Sequence, residues 1–291
     1  MRYGKIEPMH PQRIVCLTEE TTETLYLLGE QWRIVGISGF TVRPPQARQE
    51  KPRVSAFTSA NMGKILALRP DLVLGFSDLQ ADIAAQLIRL GVAVHIFNQR
   101  SVAQILQMIC VIGGMVGCEA KAAALVARLH DGLEQIRAAA LDLPKRPRVY
   151  FEEWDSPQIS GIKWVSELLE LAGGIECFPE LAQQSLGKDR IIADPQEVVR
   201  RAPDIIFGSW CGKKFKAAAV AARAGWSEIP AVRAAALHEI KSPIILQPGP
   251  AALTDGVRCM HEIIAAWAHA GAGVRLPEPR RYAVSSRKAS R

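Results

Sequence analysis

Short apolar runs, each closed by a glycine or a polar turn, alternate along this chain with stretches whose apolar residues recur every three or four positions. In the first half the runs Arg13–Thr18, Ile34–Ile37, Leu72–Phe76 and Val94–Phe97 predict strands. The periodic stretches Thr21–Leu28, Asn61–Leu68 and Ala81–Leu90 predict helices between them. In the second half strands are expected at Val149–Trp154, Ile205–Gly208 and Leu237–Ile240. Helices are expected at Val165–Leu171, Gln196–Arg201, near Ala217–Ala224, and at Ala251–His269. Strands that alternate with helices argue for α/β construction with parallel sheets.

The two halves echo one another. Ile65-Leu66-Ala67-Leu68-Arg69-Pro70-Asp71-Leu72-Val73-Leu74-Gly75 recurs as Val198-Val199-Arg200-Arg201-Ala202-Pro203-Asp204-Ile205-Ile206-Phe207-Gly208. Each copy reads as a helix end, a Pro-Asp turn and a buried strand closed by glycine, because proline stops a helix and a continuous apolar run suits a strand covered on both faces. Glu23–Gly29 and Glu167–Gly173 form a second echo, each a helix ending at glycine. Between the halves lies Glu119–Leu141, rich in Ala, Leu and Arg, which predicts one helix of about 35 Å at 1.5 Å per residue. Pro144 and Pro147 end it. The expected division is an α/β lobe over 11–117, a connecting helix over 118–143, a second α/β lobe over 148–273 and a basic tail over 274–291. A helical connector predicts small opening motions.

Composition narrows the class. With 48% hydrophobic and 22% charged residues the chain can bury a large core without disulfides or metal. Much of the net charge of +7 sits at the end, where Arg280–Arg291 carries five basic residues and no acid; without an aromatic-rich or helix-turn-helix pattern it gives no nucleic-acid signature. The six cysteines form no CxxC pair and read mostly as small core residues, Cys211 excepted. Met1–Val15 holds no apolar signal core and no run reaches membrane-span length, so residence in the cytoplasm, with no membrane span, is expected.

In open parallel sheets ligands collect beyond the carboxyl ends of the strands. Three of the six tryptophans, Trp154, Trp164 and Trp210, fall in these loops, joined by Phe40, Phe57, Phe76 and Phe215. Flat apolar walls with a polar rim suit a large, partly flat guest. Polar candidates in the same loops are Glu19, Ser77, Asp78, Glu153, Lys163, Cys211, Lys213 and Lys241. Lysines at strand ends, Lys214 among them, suit carboxylates or phosphates on such a guest.

The segments "RIVCLTEETTETLYLLG", "KILALRPDLVLGF", "LIRLGVAVHIFN", "ISGIKWVSELLELAGG" and "EVVRRAPDIIFGSW" resemble the class III substrate-binding proteins of ABC importers, closest to the cobalamin-binding branch, with siderophore and haem receptors as cousins. The likeness covers Arg13 to Trp267. It implies two Rossmann-like lobes joined by a long helix, and a metal chelate, cobalamin first, held without chemistry in the cleft between them. It implies no catalytic cofactor and a monomer. Phe57, Trp164 and Trp210 stand at positions where that branch lines the cleft. The family docks on its permease through an exposed acid on each lobe. Glu197 matches in lobe two, whereas Met62-Gly63-Lys64 in lobe one offers none, which puts an ABC permease partner in question and admits a carrier or sensor.

Two other chemistries are open. Glu153, Cys211 and His238 are a donor set suited to a transition-metal ion if they converge. Glu152, Glu153 and Asp155 form an acidic cluster that could do acid–base work. Neighbouring residues of a strand face opposite ways, and no GxSxG, Walker A or GxGxxG motif accompanies the cluster, which argues against an enzyme.

Overall fold

The two echoed segments fold alike, and each sets its strand with the same device. In the computed structural model, which describes residues 9–270, the helix Met62–Ala67 ends at Arg69, whose φ is +46°; the helix Gln196–Arg201 ends at Ala202, whose φ is +44°. The next residue is proline in both copies, so the helix cannot continue. The following aspartate then turns back onto the first strand of its sheet. Asp71 accepts from the backbone N–H groups of Gln12 and Arg13 at 2.7 and 2.9 Å, and Asp204 accepts from that of Arg148 at 2.8 Å. Removing two such bonds in Asp71→Ala is expected to cost about 1–2 kcal/mol, and one in Asp204→Ala about half of that. Urea midpoints of the two variants measure both; equal losses would disconnect stability from the number of backbone bonds.

The described residues divide into two compact units, 9–99 with 103–128, and 100–102 with 129–270. In the first, strands β1 (Ile14–Cys16), β2 (Ile34–Ser38), β3 (Arg53–Ser55), β4 (Leu72–Phe76) and β5 (Val94–Phe97) form one parallel sheet ordered β3-β2-β1-β4-β5. Val15, Val54 and Val73 from the strands and Ile65, Ile83 and Leu87 from the helices make its core. The short strand β3 and the helix Val102–Met115 had no separate sequence signal.

In the second unit β6 (Arg148–Asp155), β7 (Gln158–Ser160), β8 (Ile175–Glu176), β9 (Ile205–Gly208) and β10 (Leu237–Glu239) build a sheet ordered β10-β9-β6-β7, with β8 also on β6. All pairs are parallel except β6 with β7. That hairpin departs from the all-parallel expectation for a physical reason. Only Ser156 and Pro157 join the two strands, too short for any crossover, so the chain must reverse. The helix Glu119–Leu141 has the bounds its composition predicts, and its buried stripe Ala122, Leu125, Leu129, Leu133 and Ala140 follows helical spacing. Residues 119–128 of it belong to the first unit and 129–141 to the second. The final helix is not uniform: Ala252–Gly256 is a π turn that leads into Val257–His269. Residues 1–8 of the Met1–Val15 segment read for a signal, and the basic tail, fall outside the described residues.

Candidate functional site

In the first unit the strand ends are tied together by a residue that no pattern along the chain singles out. Gln80, fully buried, accepts from the Phe76 backbone N–H at 2.9 Å and donates to the Phe57 carbonyl at 2.9 Å. It fits only because position 75 is glycine: a Cβ there would lie 2.5 Å from the Gln80 amide oxygen. The half-buried Phe57 is thereby fixed at the end of the sheet. Ser77 is buried at φ +66° and its hydroxyl accepts from the Leu79 N–H at 3.3 Å, while Asp78 is exposed beside it.

Glu19 does different work from that expected of a ligand residue. Its side chain is buried, and Oε1 accepts from the backbone N–H groups of Val42 and Arg43 at 2.7 and 2.8 Å. It pins the loop that presents Phe40, which is 59% exposed. Burial pushes the Glu19 carboxyl up to about 8, against the two N–H bonds that favour its charge, and Glu20 and Glu176 go up to about 7, also through burial. A carboxyl whose folded-state value is raised supports the fold below its unfolded value and withdraws that support as pH climbs through the raised one. Stability from these groups is therefore expected to fall between pH 5 and 8. Glu19→Gln keeps an acceptor for both N–H groups and should flatten that fall; urea unfolding at four pH values across the range, with an unchanged slope in the variant, would remove Glu19 as its source.

The second unit brings most of the remaining candidates to the end of β6. Trp154, half-buried, closes its indole N–H on the Ser156 carbonyl at 3.0 Å. Trp210, 5% exposed, gives its indole N–H to Glu152 Oε1 at 3.1 Å and meets the Phe215 ring edge-on at 5.0 Å. Phe215 lies directly on Gly208, where a Cβ would come within 1.9 Å of the ring. Thus the closing glycines of both echoed strands make room for a side chain packed over the strand end. The Lys213 ammonium stands over the Trp154 and Trp210 rings at 4.4 and 5.1 Å.

The acidic cluster is not a free carboxylate pair, because each member meets its own cation. Glu152, fully buried, receives Arg223 through Nη1 at 2.5 Å and Nη2 at 3.0 Å, and the Tyr150 hydroxyl at 3.1 Å. Burial, then the Glu152 charge, holds the Tyr150 phenol well above its ordinary range. Glu153 is bound at both oxygens by the buried Arg190, at 2.6 and 3.0 Å. Asp155 faces Lys213 at 2.5 Å.

Other candidates lie elsewhere. Trp164, at the start of the helix Lys163–Leu171, is 3% exposed and donates to the Ile245 carbonyl at 2.9 Å, so its ring belongs to the packed interior of the unit. Lys163 beside it is half-buried. Lys241 pairs with Glu239. Cys211 is exposed, and Cys110 is exposed too, unlike the core position its apolar context suggested. Among the described residues no group of three His, Cys, Asp or Glu could hold a metal; Glu153 is taken by Arg190 and His238 packs against Phe207 at 6.4 Å, so the metal set of Glu153, Cys211 and His238 does not assemble. Glu197 takes Arg200 at 2.6 Å and Arg201 at 3.0 Å, bonds that hold its carboxyl below the ordinary range. No described helix is long and apolar enough to cross a membrane.

Against known proteins, the profile described as "Periplasmic binding protein" matches residues 14–243. An ABC transporter substrate-binding lipoprotein of Bacillus subtilis is 28% identical over 87% of this chain and 80% of its own. A cobalamin-binding protein of Halobacterium salinarum is 27% identical over 65% of this chain, which spans about half (53%) of that relative's length. Among solved structures, a periplasmic haem-binding protein from Roseiflexus sp. RS-1 superposes with a TM-score of 0.73 over 89% of this chain and 99% of the other, at 22% identity. These are substrate-binding proteins and not enzymes, and their two-lobed α/β fold is the one the echoes in the sequence predict.

Proposed function

Because the chain belongs to the periplasmic binding protein family, we propose that it binds a large metal chelate, cobalamin first, on the aromatic strand-end loops, without turnover. The observation that carries this reading is the end of β6: the Lys213 ammonium stands 4.4 Å from the half-buried Trp154 ring and 5.1 Å from the Trp210 ring at the strand ends, where it can meet acidic or amide groups. The cobalamin-binding relative supports the choice of chelate, and the haem-binding fold neighbour makes haem the second candidate. Siderophores follow as the family's other cousins. In the second unit Trp154, Lys163, Cys211 and Lys213 are the side chains assigned to the ligand; Phe57 and Asp78 are the strand-end candidates of the first. Glu19, Ser77, Glu153 and Trp210 act through the loops and rings they hold, and Lys241 stays at the rim. Glu197 is assigned to docking on a permease, where its two arginines would have to be shared or displaced.

Titration calorimetry with cobalamin, haem and a ferric hydroxamate, read beside tryptophan quenching, tests the proposal. One-to-one binding of cobalamin with quenching is expected. A response to haem alone would replace the ligand, and no heat with any of the three would remove the chelate reading.

A further inference from the structure

Among the described residues the Lys213 ammonium is the cation that stands over two indole rings at once. Arg190 is clamped to Glu153, Arg223 is clamped to Glu152 with the one Trp226 ring at 4.5 Å, and Lys241 sits in an exposed pair with Glu239. The Lys213 ammonium instead has three walls: the Trp154 face at 4.4 Å, the Trp210 face at 5.1 Å and Asp155 Oδ1 at 2.5 Å. Both ring distances are inside the roughly 6 Å at which an indole attracts a cation. With Lys213 in place Asp155 Oδ1 has almost no solvent contact and no hydrogen-bond partner, so the ammonium is its counter-charge.

The walls are held independently of their occupant. Trp154 is fixed by its bond to the Ser156 carbonyl. Trp210 is fixed by Glu152, which Arg223 and Tyr150 hold, and by the edge of Phe215. Asp155 is set by its register with Gln158 in the β6–β7 hairpin. The occupant arrives on a different kind of segment. Cys211, Gly212, Lys213 and Lys214 are all exposed, Gly212 has φ +79°, and the Lys213 side chain remains 41% exposed. Two indole faces and a buried carboxylate oxygen are the complement of an organic ammonium group, and the chain supplies one from its own loop.

We propose that Trp154, Trp210 and Asp155 form a binding cage for an organic ammonium, occupied here by Lys213, so that the loop 211–214 is a strap that a competing cation releases. A tethered lysine has an effective concentration on the order of millimolar. A free alkylammonium therefore needs at least that concentration to enter the intact protein, and much less once the tether is gone.

Chemical complementation tests this. Lys213→Ala keeps Cβ, and n-propylammonium supplies the three missing carbons and the charged nitrogen. The variant is expected to show a saturable change in tryptophan emission at a concentration at least tenfold lower than the unaltered protein. Potassium chloride at equal ionic strength should not reproduce it, and Trp154→Ala/Lys213→Ala should not respond. Equal responses of the variant and the unaltered protein, or no saturable response in a variant that melts cooperatively, would overturn the proposal. Should Lys213→Ala fail to fold, Lys213→Met retains the stem without the charge; faster hydrogen exchange across 209–216 is then expected, and unchanged exchange would overturn the strap.

Discussion

Replacing Glu152 by alanine is expected to destabilise the second unit by about 3–5 kcal/mol, the penalty for breaking a buried ion pair by removing one partner. Four donors from three side chains lose their acceptor together: both guanidinium nitrogens of Arg223, the Trp210 indole N–H and the Tyr150 hydroxyl all meet this one carboxylate. The Arg223 side chain is 19% exposed, so its charge recovers little water when the partner goes. Glu152→Gln should fall between, since an amide oxygen still accepts while the charge opposite Arg223 is lost. The double variant Glu152→Ala/Arg223→Ala should lose less than the sum of the two single changes, because no orphaned charge remains. Urea unfolding of the four proteins measures the cycle. A loss under about 1 kcal/mol for Glu152→Ala would mean that the network is relaxed by rearrangement and does not hold the strand end.

The same network shows where reading the sequence stops. The Pro-Asp echo was legible because its helix stop is local, a proline directly after a left-handed residue; the bonds that Asp71 and Asp204 make to backbone N–H groups 56 to 59 residues earlier were not legible. The long helix was legible for the same reason, its composition and burial stripe sharing one period. The acids at the end of β6 were visible as a cluster, and alternation along the strand separated Glu152 from Glu153. Their partners were not visible, since Arg190 is 37 residues and Arg223 71 residues further along. Nothing in the spacing of an isolated arginine says which carboxylate it will meet. Glu19 was marked as a ligand residue because it follows the first strand, yet its carboxylate closes on the N–H groups of Val42 and Arg43. A buried acid at a helix start and an exposed one look the same in a sequence. The hairpin β6–β7 was missed because a three-residue strand offers one alternation at most.

Tryptophan is where this limit has its largest consequence. Trp154, Trp164 and Trp210 are equivalent by position, all on strand-end loops, but the structure puts them in three environments. Trp164 is 3% exposed and bonded to the Ile245 carbonyl, so Trp164→Ala is expected to cost about 3–5 kcal/mol of stability, the range for deleting a large core ring. It also leaves that carbonyl without its indole partner. Ligand affinity, measured on whatever fraction is folded, should change little. Trp154 is half-buried and faces a lysine across its ring, so its loss should leave the melting temperature nearly unmoved and weaken the chelate by roughly 10- to 100-fold if the guest covers the ring, since about 1.5–3 kcal/mol of apolar burial goes with it. Trp210 combines the two, because its N–H serves Glu152 while its face serves Lys213; both quantities should fall. Melting temperature and affinity taken on the same samples separate the three. If Trp164→Ala instead melted like the unaltered protein and bound poorly, the ring would have to leave the interior in solution, and the assignment of Trp154 as the principal ligand face would pass to it.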